Sequence, residues 1–443
     1  MYKEKLFGVI SLGCDKNRVD SEKLIGLLKD KGCRLTDDLS KAQIVIINTC
    51  AFLQSARSEA IDTIFDCAAY KTDKLEKIVV TGCLPEKFID ELFAPLEEVD
   101  IFLGITDYEK IFEALERSYQ EDERQNYVKK GQDGYMFSRV LTTDEHYAYL
   151  KIADGCYNHC TYCLIPKIRG KYRSYPMENL LREAEELGDI AELIVVAQDS
   201  TRYGEDLYGK NCFVELLQKL SALENIQTIR LLYCYPDVIG EDLIEEIATN
   251  EKILKYIDIP LQHSEDRVLK LMNRKGKRSG YLSLIQKLKE RIPNIAIRST
   301  FILGFPTETE EEFEGMKAFL REAKFFNCGF FAYSREPDTG AYRLKPQIHH
   351  ATKARRVREL YAIQSEISTE ILNSFVGKEI EVLCDGIDYE KNCFVGRAYF
   401  SAPDIDGKVY FNAAQAMQGE RYSVLIERAD AYDLYGKTED YEI

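Results

Sequence analysis

No stretch of the sequence approaches the roughly 18 consecutive apolar residues that a membrane span requires, so no membrane partner is expected. The opening residues, MYKEKLFGVISLG, do not read as a secretory leader, because Asp15 and Lys16 end the short apolar run. The expected location is cytoplasmic. Internal repeats and low-complexity tracts are absent, which leaves a chain of ordinary folded domains. Positive charge is not in excess: 59 Lys plus Arg stand against 75 Asp plus Glu, a formal net charge of −16. That balance gives no positive argument for a phosphate-tracking surface and suits a basic protein partner at least as well. A local basic patch still leaves RNA binding open. A disulfide framework is not expected from 13 cysteines in a long cytosolic chain. Cys33, Cys67, Cys212, Cys328, Cys384 and Cys393 read as small buried hydrophobes.

At roughly 100–200 residues per domain, 443 residues hold two to four domains. Residues 1–120 alternate apolar strands with helices. KLFGVISLG, a helix from Ser21 to Lys29, AQIVIINTC, a helix from Gln54 to Tyr70, and KIVVTGC follow one another. This rhythm predicts an α/β domain with a parallel sheet. Residues 121–142 are polar and read as a linker with a short hairpin. Residues 143–365 offer six strand candidates, YAYLKIA, ELIVVAQ, TIRLLYC, YIDIPL, AIRSTFILG and CGFFAYS, separated by helical stretches. Six βα units predict a partial (βα)6 barrel. Residues 370–443 carry short alternating segments between Gly and Asp turns, the pattern of a small antiparallel β-barrel of OB-like size.

The segment DGCYNHCTYCLIPKIRG, residues 154–170, places Cys156, Cys160 and Cys163 in the loop after the first barrel strand. Working groups of parallel α/β folds gather at that end. Tetrahedral zinc needs four ligands, and no fourth cysteine lies nearby, although His159 keeps zinc open. The C-x3-C-x2-C spacing suits three corners of a cubane iron–sulfur cluster, with one iron left for a small ligand.

C-x3-C-x2-C, with Tyr162 just before the third cysteine, resembles the signature of the radical S-adenosylmethionine enzymes. The resemblance implies a [4Fe–4S] cluster whose open iron binds S-adenosylmethionine, one-electron cleavage of the sulfonium, and a 5'-deoxyadenosyl radical that abstracts hydrogen. It also implies cofactor contacts at Tyr162, at Gln198 and Asp199 after the second strand, at Gln262 after YIDIP, at Arg298 in the fifth strand, and at Ile302 and Gly304 in ILGFPTET. Other readings of the same residues stay open. Gly304 and Pro306 suit a strand-to-helix turn with Thr307 as helix cap, and His263 suits a structural hydrogen bond.

Three more cysteines, Cys14, Cys50 and Cys83, each lie just past a separate strand of the first domain. Strand ends of a parallel sheet are neighbours, so the three are candidate ligands of a second cluster. The stretches SLGCDKNRVDSE, INTCAF and TGCLPE, with the radical motif and the C-terminal barrel, resemble the methylthiotransferases over almost the whole chain. This resemblance implies two [4Fe–4S] clusters, one for the radical and an auxiliary one presenting sulfur, with methyl supplied by a second S-adenosylmethionine. It implies a TRAM-type C-terminal barrel for substrate recognition, and it requires an external electron donor and a sulfur donor. Asn17 and Asn48 are candidates for fixing the loops beside Cys14 and Cys50, or are ordinary turn residues.

Members of that family modify either a transfer RNA adenosine or an aspartate of a small-subunit ribosomal protein. Residues 371–443 hold 7 Lys plus Arg against 14 Asp plus Glu, a formal charge of −7. Such a module repels phosphate and attracts basic protein. AQDSTRYGEDLYG, LLYCYPD, IDIPLQHSEDRVLKLMNRKG and ADAYDLYG resemble the ribosomal-protein branch. The expected reaction is therefore methylthiolation of the β-carbon of an aspartate in the twelfth small-subunit protein, free or in the ribosome. The alternative is the same chemistry on transfer RNA, and outside this mechanism an iron–sulfur carrier or a zinc-stabilised nucleic-acid adaptor. Tyr203 and Tyr208 are substrate-contact or packing candidates. KIRGKYR, with Lys167, Arg169, Lys171 and Arg173, is either a contact loop or a solvated one.

Overall fold

Short strands, the central ones rich in Ile and Val, alternate with helices through the first part of the chain and pair into a six-stranded parallel sheet. The strands are β1 (Leu6–Ser11), β2 (Arg34–Leu35), β3 (Ile44–Thr49), β4 (Lys77–Gly82), β5 (Ile101–Leu103) and β6 (Gln125–Tyr127), in the order β2-β1-β3-β4-β5-β6. Every residue of β3 and β4 is buried, as expected of central parallel strands covered on both faces. The main connecting helices are α1 (Asp15–Asp30), α2 (Gln54–Ala68), α3 (Cys83–Leu92) and α4 (Ile111–Glu121). This computed structural model describes residues 2–72, 74–106, 108–128 and 138–441.

The strand order changes direction between β1 and β3. In open α/β sheets such a switch point opens a crevice beyond the carboxyl ends of the strands. Part of the predicted linker takes another form. Gln125–Tyr127 joins the sheet as its edge strand, parallel to β5. Arg139 and Thr142 bond the buried Glu22 carboxylate, with Arg139 Nε at 2.8 Å and the Thr142 amide at 2.8 Å. Residues 129–137, the middle of the 121–142 segment read as a linker with a short hairpin, lie outside the described residues.

The chain divides into two compact units. The first comprises Met1–Thr142, Asp154–Asn158 and Cys163–Tyr175; the second comprises Thr143–Ala153, His159–Tyr162 and Pro176–Ile443. The second unit contains the six expected strands, Tyr147–Lys151, Ile190–Val196, Ile226–Leu231, Ile253–Asp258, Ala296–Leu303 and Asn327–Ala332. They pair in parallel in chain order, and the sheet does not close. It is a partial barrel.

Helix His350–Asn373 leads to a closed five-stranded barrel of Glu379–Asp388, Cys393–Arg397, Val409–Asn412, Arg421–Ala429 and Leu434–Lys437. Four of its seams are antiparallel. The fifth, between Val409–Asn412 and Leu434–Lys437, is parallel. The partial barrel and the closed barrel share a buried charge network. Glu192 accepts from Arg230 Nε at 2.6 Å and from Arg397 Nη1 at 2.9 Å, and Arg397 also donates to Asp385, 2.9 Å from its Nε. Among the described residues, no helix is long and apolar enough to cross a membrane.

Candidate active site

Register brings Cys14, Cys50 and Cys83 together. Ser11 pairs with Asn48, and Thr49 pairs with Gly82, so the segments leaving β1, β3 and β4 start side by side. Cys50 and Cys83 each directly follow a member of the second pair. Gly13 has φ +94°, and a Cβ there would lie 2.7 Å from Cys50 Cβ and 3.2 Å from its sulfur. Only glycine permits that approach, and it sets Cys14 beside Cys50. Cys14 is the N-cap of α1 and Cys83 the first residue of α3. Free N–H groups at helix starts favour negative charge.

Two buried asparagines cross-link the loops around these thiols. Asn17, fully buried, donates from Nδ2 to the carbonyls of Leu12 and Thr49, each at 3.0 Å. Asn48 donates to the carbonyl of Asn17 and to Ser21 Oγ, each at 2.9 Å. Both asparagines thus brace the loops that carry Cys14 and Cys50. Arg169 enters the same place. Its Nη1 reaches Asp20 at 2.7 Å and Asp154 at 2.9 Å, while Nη2 reaches Asn17 Oδ1 at 2.6 Å and Cys83 Sγ at 3.6 Å. Burial opposes its charge, but Asp154, Cys83 and Asp20 outweigh that penalty, so the guanidinium stays cationic. Burial pushes the Cys83 thiol up to about 12, against the pull of Arg169 and with a further push from Cys14 and Cys50. Burial also raises the Cys50 thiol.

KIRGKYR therefore divides. Lys167 and Lys171 are exposed, Arg173 donates to the Arg169 carbonyl at 3.1 Å, and Arg169 is buried in the thiol site. Sequence gave no signal to single out Arg169 from its three basic neighbours.

In the loop after the first barrel strand, backbone N–H groups face two of the sulfurs. The Asn158 amide lies 3.3 Å from Cys156 Sγ, and the Ile165 amide 3.4 Å from Cys163 Sγ. Such donors favour thiolates. Cys160 faces the buried Arg274, whose Nη1 lies 4.0 Å from the sulfur and whose Nη2 bonds the Pro260 carbonyl at 2.7 Å. Thr161 anchors its stretch, the amide to Met272 O at 3.0 Å and the hydroxyl to Leu271 O at 2.7 Å. Among the described residues, no three Cys, His, Asp or Glu side chains already stand at metal-ligand spacing. The donor chemistry nevertheless fits thiolate-bound iron–sulfur groups: the Cys156 and Cys163 sulfurs face backbone N–H donors, and the Cys83 and Cys160 sulfurs face cationic arginines.

The remaining candidates separate by position. Tyr162 and Ile302 pack together against Val268, Met272, Phe305 and Tyr333. Gln262 has φ +73°, donates its amide to Thr300 O at 2.8 Å and receives the Ile302 amide at 2.8 Å. This bridge extends the sheet beyond the fourth strand and places Gln262 beside Phe301. Gln198 is half-buried after the second strand. The carboxylate of its neighbour Asp199 is held by Thr201 Oγ1 at 2.7 Å and Arg202 Nε at 3.2 Å. Arg298 does not join this group, because its guanidinium is bound to Asp258 at 3.1 Å and Asp406 at 3.3 Å.

His263 is fully buried, accepts the Glu265 amide at Nδ1 and faces the Glu308 carboxylate, 3.5 Å from Nε2. The helix after GFPTET is capped by Thr309, not Thr307. Thr309 and Glu312 form a reciprocal capping box, while Thr307 sits at φ +71°. Gly304 has φ +69°, and a Cβ there would lie 2.4 Å from Lys353 Cγ. Gly304→Ala is expected to cost about 1–3 kcal/mol of stability, from backbone strain and displacement of Lys353; chemical denaturation of the apo-protein reads it directly.

Tyr203 is fully buried, whereas Tyr208 is exposed and its hydroxyl accepts the Met177 amide at 2.8 Å. Of the six cysteines read as buried hydrophobes, Cys33, Cys67, Cys212 and Cys384 are buried, while Cys328 and Cys393 are half-buried.

Comparison with known proteins matches residues 6–104 to the uncharacterized protein family UPF0004, residues 150–320 to the Radical SAM superfamily and residues 376–438 to the TRAM domain. The ribosomal protein uS12 methylthiotransferase RimO of Thermoanaerobacter sp. (strain X514) is 46% identical over 98% of this chain and 100% of that protein. The chain belongs to the RimO family. RimO of Lachnoclostridium phytofermentans is 44% identical over 97% of this chain and 99% of its own length. Among solved structures, the radical S-adenosylmethionine methyltransferase TsrM from Kitasatospora setae has a similar fold, with a TM-score of 0.56 at 13% identity, covering 87% of this chain and 79% of that one. The cobalamin-dependent radical enzyme OxsB aligns with a TM-score of 0.51 at 12% identity, covering 82% of this chain and 56% of that one. At such identities the likeness is one of fold.

Proposed function

We propose that this chain methylthiolates the β-carbon of an aspartate in ribosomal protein uS12. The observation that carries the reading is the 46% identity to a RimO along its complete length. The convergence of Cys14, Cys50 and Cys83 at three neighbouring strand ends supports the chemistry. Cys156, Cys160 and Cys163 hold one [4Fe–4S] cluster; Cys14, Cys50 and Cys83 hold the other. When bound, the first group and S-adenosylmethionine supply a hydrogen-abstracting radical, and the second supplies sulfur.

The chain's own residues position these groups. The amides of Asn158 and Ile165 and the Arg274 guanidinium face the radical-cluster sulfurs. Tyr162 and Ile302 form an apolar wall, and Gln198 and Gln262 offer amides at strand ends to the polar groups of S-adenosylmethionine. Gly304 makes room for the Lys353 side chain at its strand end. The division into an N-terminal domain of residues 1–120 for the auxiliary cluster, a radical domain of 143–365 and a recognition barrel of 370–443 follows the same reading.

The barrel suits a basic protein better than RNA. Its exposed acids Glu379, Glu381, Glu390, Asp404, Glu420, Glu427, Glu439 and Asp440 outnumber exposed Lys378, Lys391, Lys408 and Arg428. A phosphate-binding face has the opposite balance. The test offers uS12 and unmodified transfer RNA separately to anaerobically reconstituted enzyme with S-adenosylmethionine, sulfide and a reductant. Mass spectrometry should find the methylthio group on the protein alone. Modification of the RNA alone would overturn the substrate assignment.

A further inference from the structure

We propose that Arg169 is the positioning residue of the auxiliary site, holding the Cys83 sulfur through an N–H···S hydrogen bond and so setting how firmly, and at what potential, the iron–sulfur group is held there. The proposal rests on Cys14, Cys50 and Cys83 being the ligands of that group.

Two observations separate this role from a purely structural one. First, the guanidinium is used from both ends. Nη1 reaches both carboxylates, Asp20 at 2.7 Å and Asp154 at 2.9 Å, whereas Nη2 is turned toward Asn17 Oδ1 and Cys83 Sγ, at 2.6 and 3.6 Å. Second, the Cys83 thiol has an acceptor only while it is protonated. As a thiol it donates to Asn17 Oδ1, 3.7 Å away. As an iron ligand the sulfur has lost its proton and can only accept. Arg169 Nη2 is then the donor that faces it, and the Asn17 oxygen is already occupied by the same Nη2. The site is thus built for the ligated sulfur at least as well as for the free thiol.

The electrostatic consequence has a definite sign. Reduction adds negative charge to an iron–sulfur group. A buried cation with an N–H aimed at a ligating sulfur stabilises the reduced form and raises the reduction potential. Arg169 is only 3% exposed, so solvent screening is weak. The residue also follows Cys163 on the loop that carries the radical-cluster cysteines. One segment therefore supplies ligands to one group and a charge to the other.

The experiment uses the full chain with Cys156, Cys160 and Cys163 all replaced by alanine, so that only the auxiliary group loads. In that background Arg169, Arg169→Lys and Arg169→Gln are reconstituted anaerobically. Iron content, the midpoint potential by EPR-monitored titration, and the rate of iron loss to a chelator are measured, with circular dichroism and melting as controls. Arg169→Gln should lower the midpoint and lose iron about 10-fold faster, the lower end of what removal of an outer-shell partner does to metal affinity. Lysine is a point charge without the planar fork. Arg169→Lys should therefore keep the fold through Asp20 and Asp154, yet still lower the midpoint. A folded Arg169→Lys with the parent's midpoint and iron-loss rate would overturn the proposal, since a structural role alone is met by the retained charge. The same behaviour in a folded Arg169→Gln would overturn it equally. A parent background that binds no iron would overturn the ligand assignment beneath it.

Discussion

Cys160→Ala is expected to abolish 5'-deoxyadenosine formation, while Cys50→Ala is expected to leave it in place and stop methylthio transfer. The two triads occupy different structural settings. Cys160 lies on the loop after the first barrel strand, facing Arg274. Cys50 directly follows β3 in the parallel sheet of the first unit. Three thiolates are the fewest that hold a cubane with one free iron, so loss of one ligand removes the small-molecule site. Each variant should lose one cluster's iron and keep the other's. The measurements are iron content, chromatographic detection of 5'-deoxyadenosine, and mass analysis of uS12. If a folded Cys50→Ala also failed to cleave S-adenosylmethionine, the division of labour between the triads would be wrong.

The largest stability effect is expected at Glu192. Its carboxylate is buried between Arg230 and Arg397, and both arginines are themselves buried. Arg397 belongs to the closed barrel and Arg230 to the partial barrel, so Glu192 ties two sheets of the second unit. Glu192→Ala strands two guanidinium groups without their counter-charge and should cost about 3–5 kcal/mol. Burial opposes ionisation of Glu192, yet Arg230 and Arg397 prevail and hold it at about 2. A glutamate in the unfolded chain titrates near 4.3. Because the folded value is depressed, the stabilisation is fully present above the unfolded value and disappears as pH falls toward about 2. Urea denaturation across pH 2–6 (about the range both values span) should show this acid loss in the parent and a flatter profile in Glu192→Gln.

The parts of the fold legible in the sequence are those whose burial is written locally. IVIINT and KIVVTG each carry a run of Ile and Val, and they form β3 and β4, buried along their whole length. The same property made Cys50 and Cys83 recognisable as residues past strand ends. The two- and three-residue edge strands β2 and β6 left no comparable trace. Pairing at a sheet edge depends on the neighbour more than on composition. The parallel seam of the C-terminal barrel was illegible for a related reason. Alternation marks a half-buried strand but carries no direction for its partner.

In the candidate site, the cysteines and the bracing asparagines were legible, whereas Arg169 and Arg274 were not. An arginine in a basic run reads as solvated. Arg169 is buried because Asp20 and Asn17, far away in sequence, meet it in space. Arg298, a contact implied by the family resemblance, has an ion-pair setting that the sequence does not show: Asp258 and Asp406 engage it. Thr307 resembles a helix cap in sequence, but its left-handed backbone moves the cap to Thr309, where Glu312 completes the box.

The most direct test of the central claim follows one hydrogen. Reconstituted enzyme is supplied with S-adenosylmethionine, a reductant, sulfide and uS12 carrying deuterium at the β-carbons of its aspartates. The account predicts deuterium in the recovered 5'-deoxyadenosine, together with a methylthio group on one aspartate. Methylthiolated uS12 whose companion 5'-deoxyadenosine carries no deuterium would contradict it.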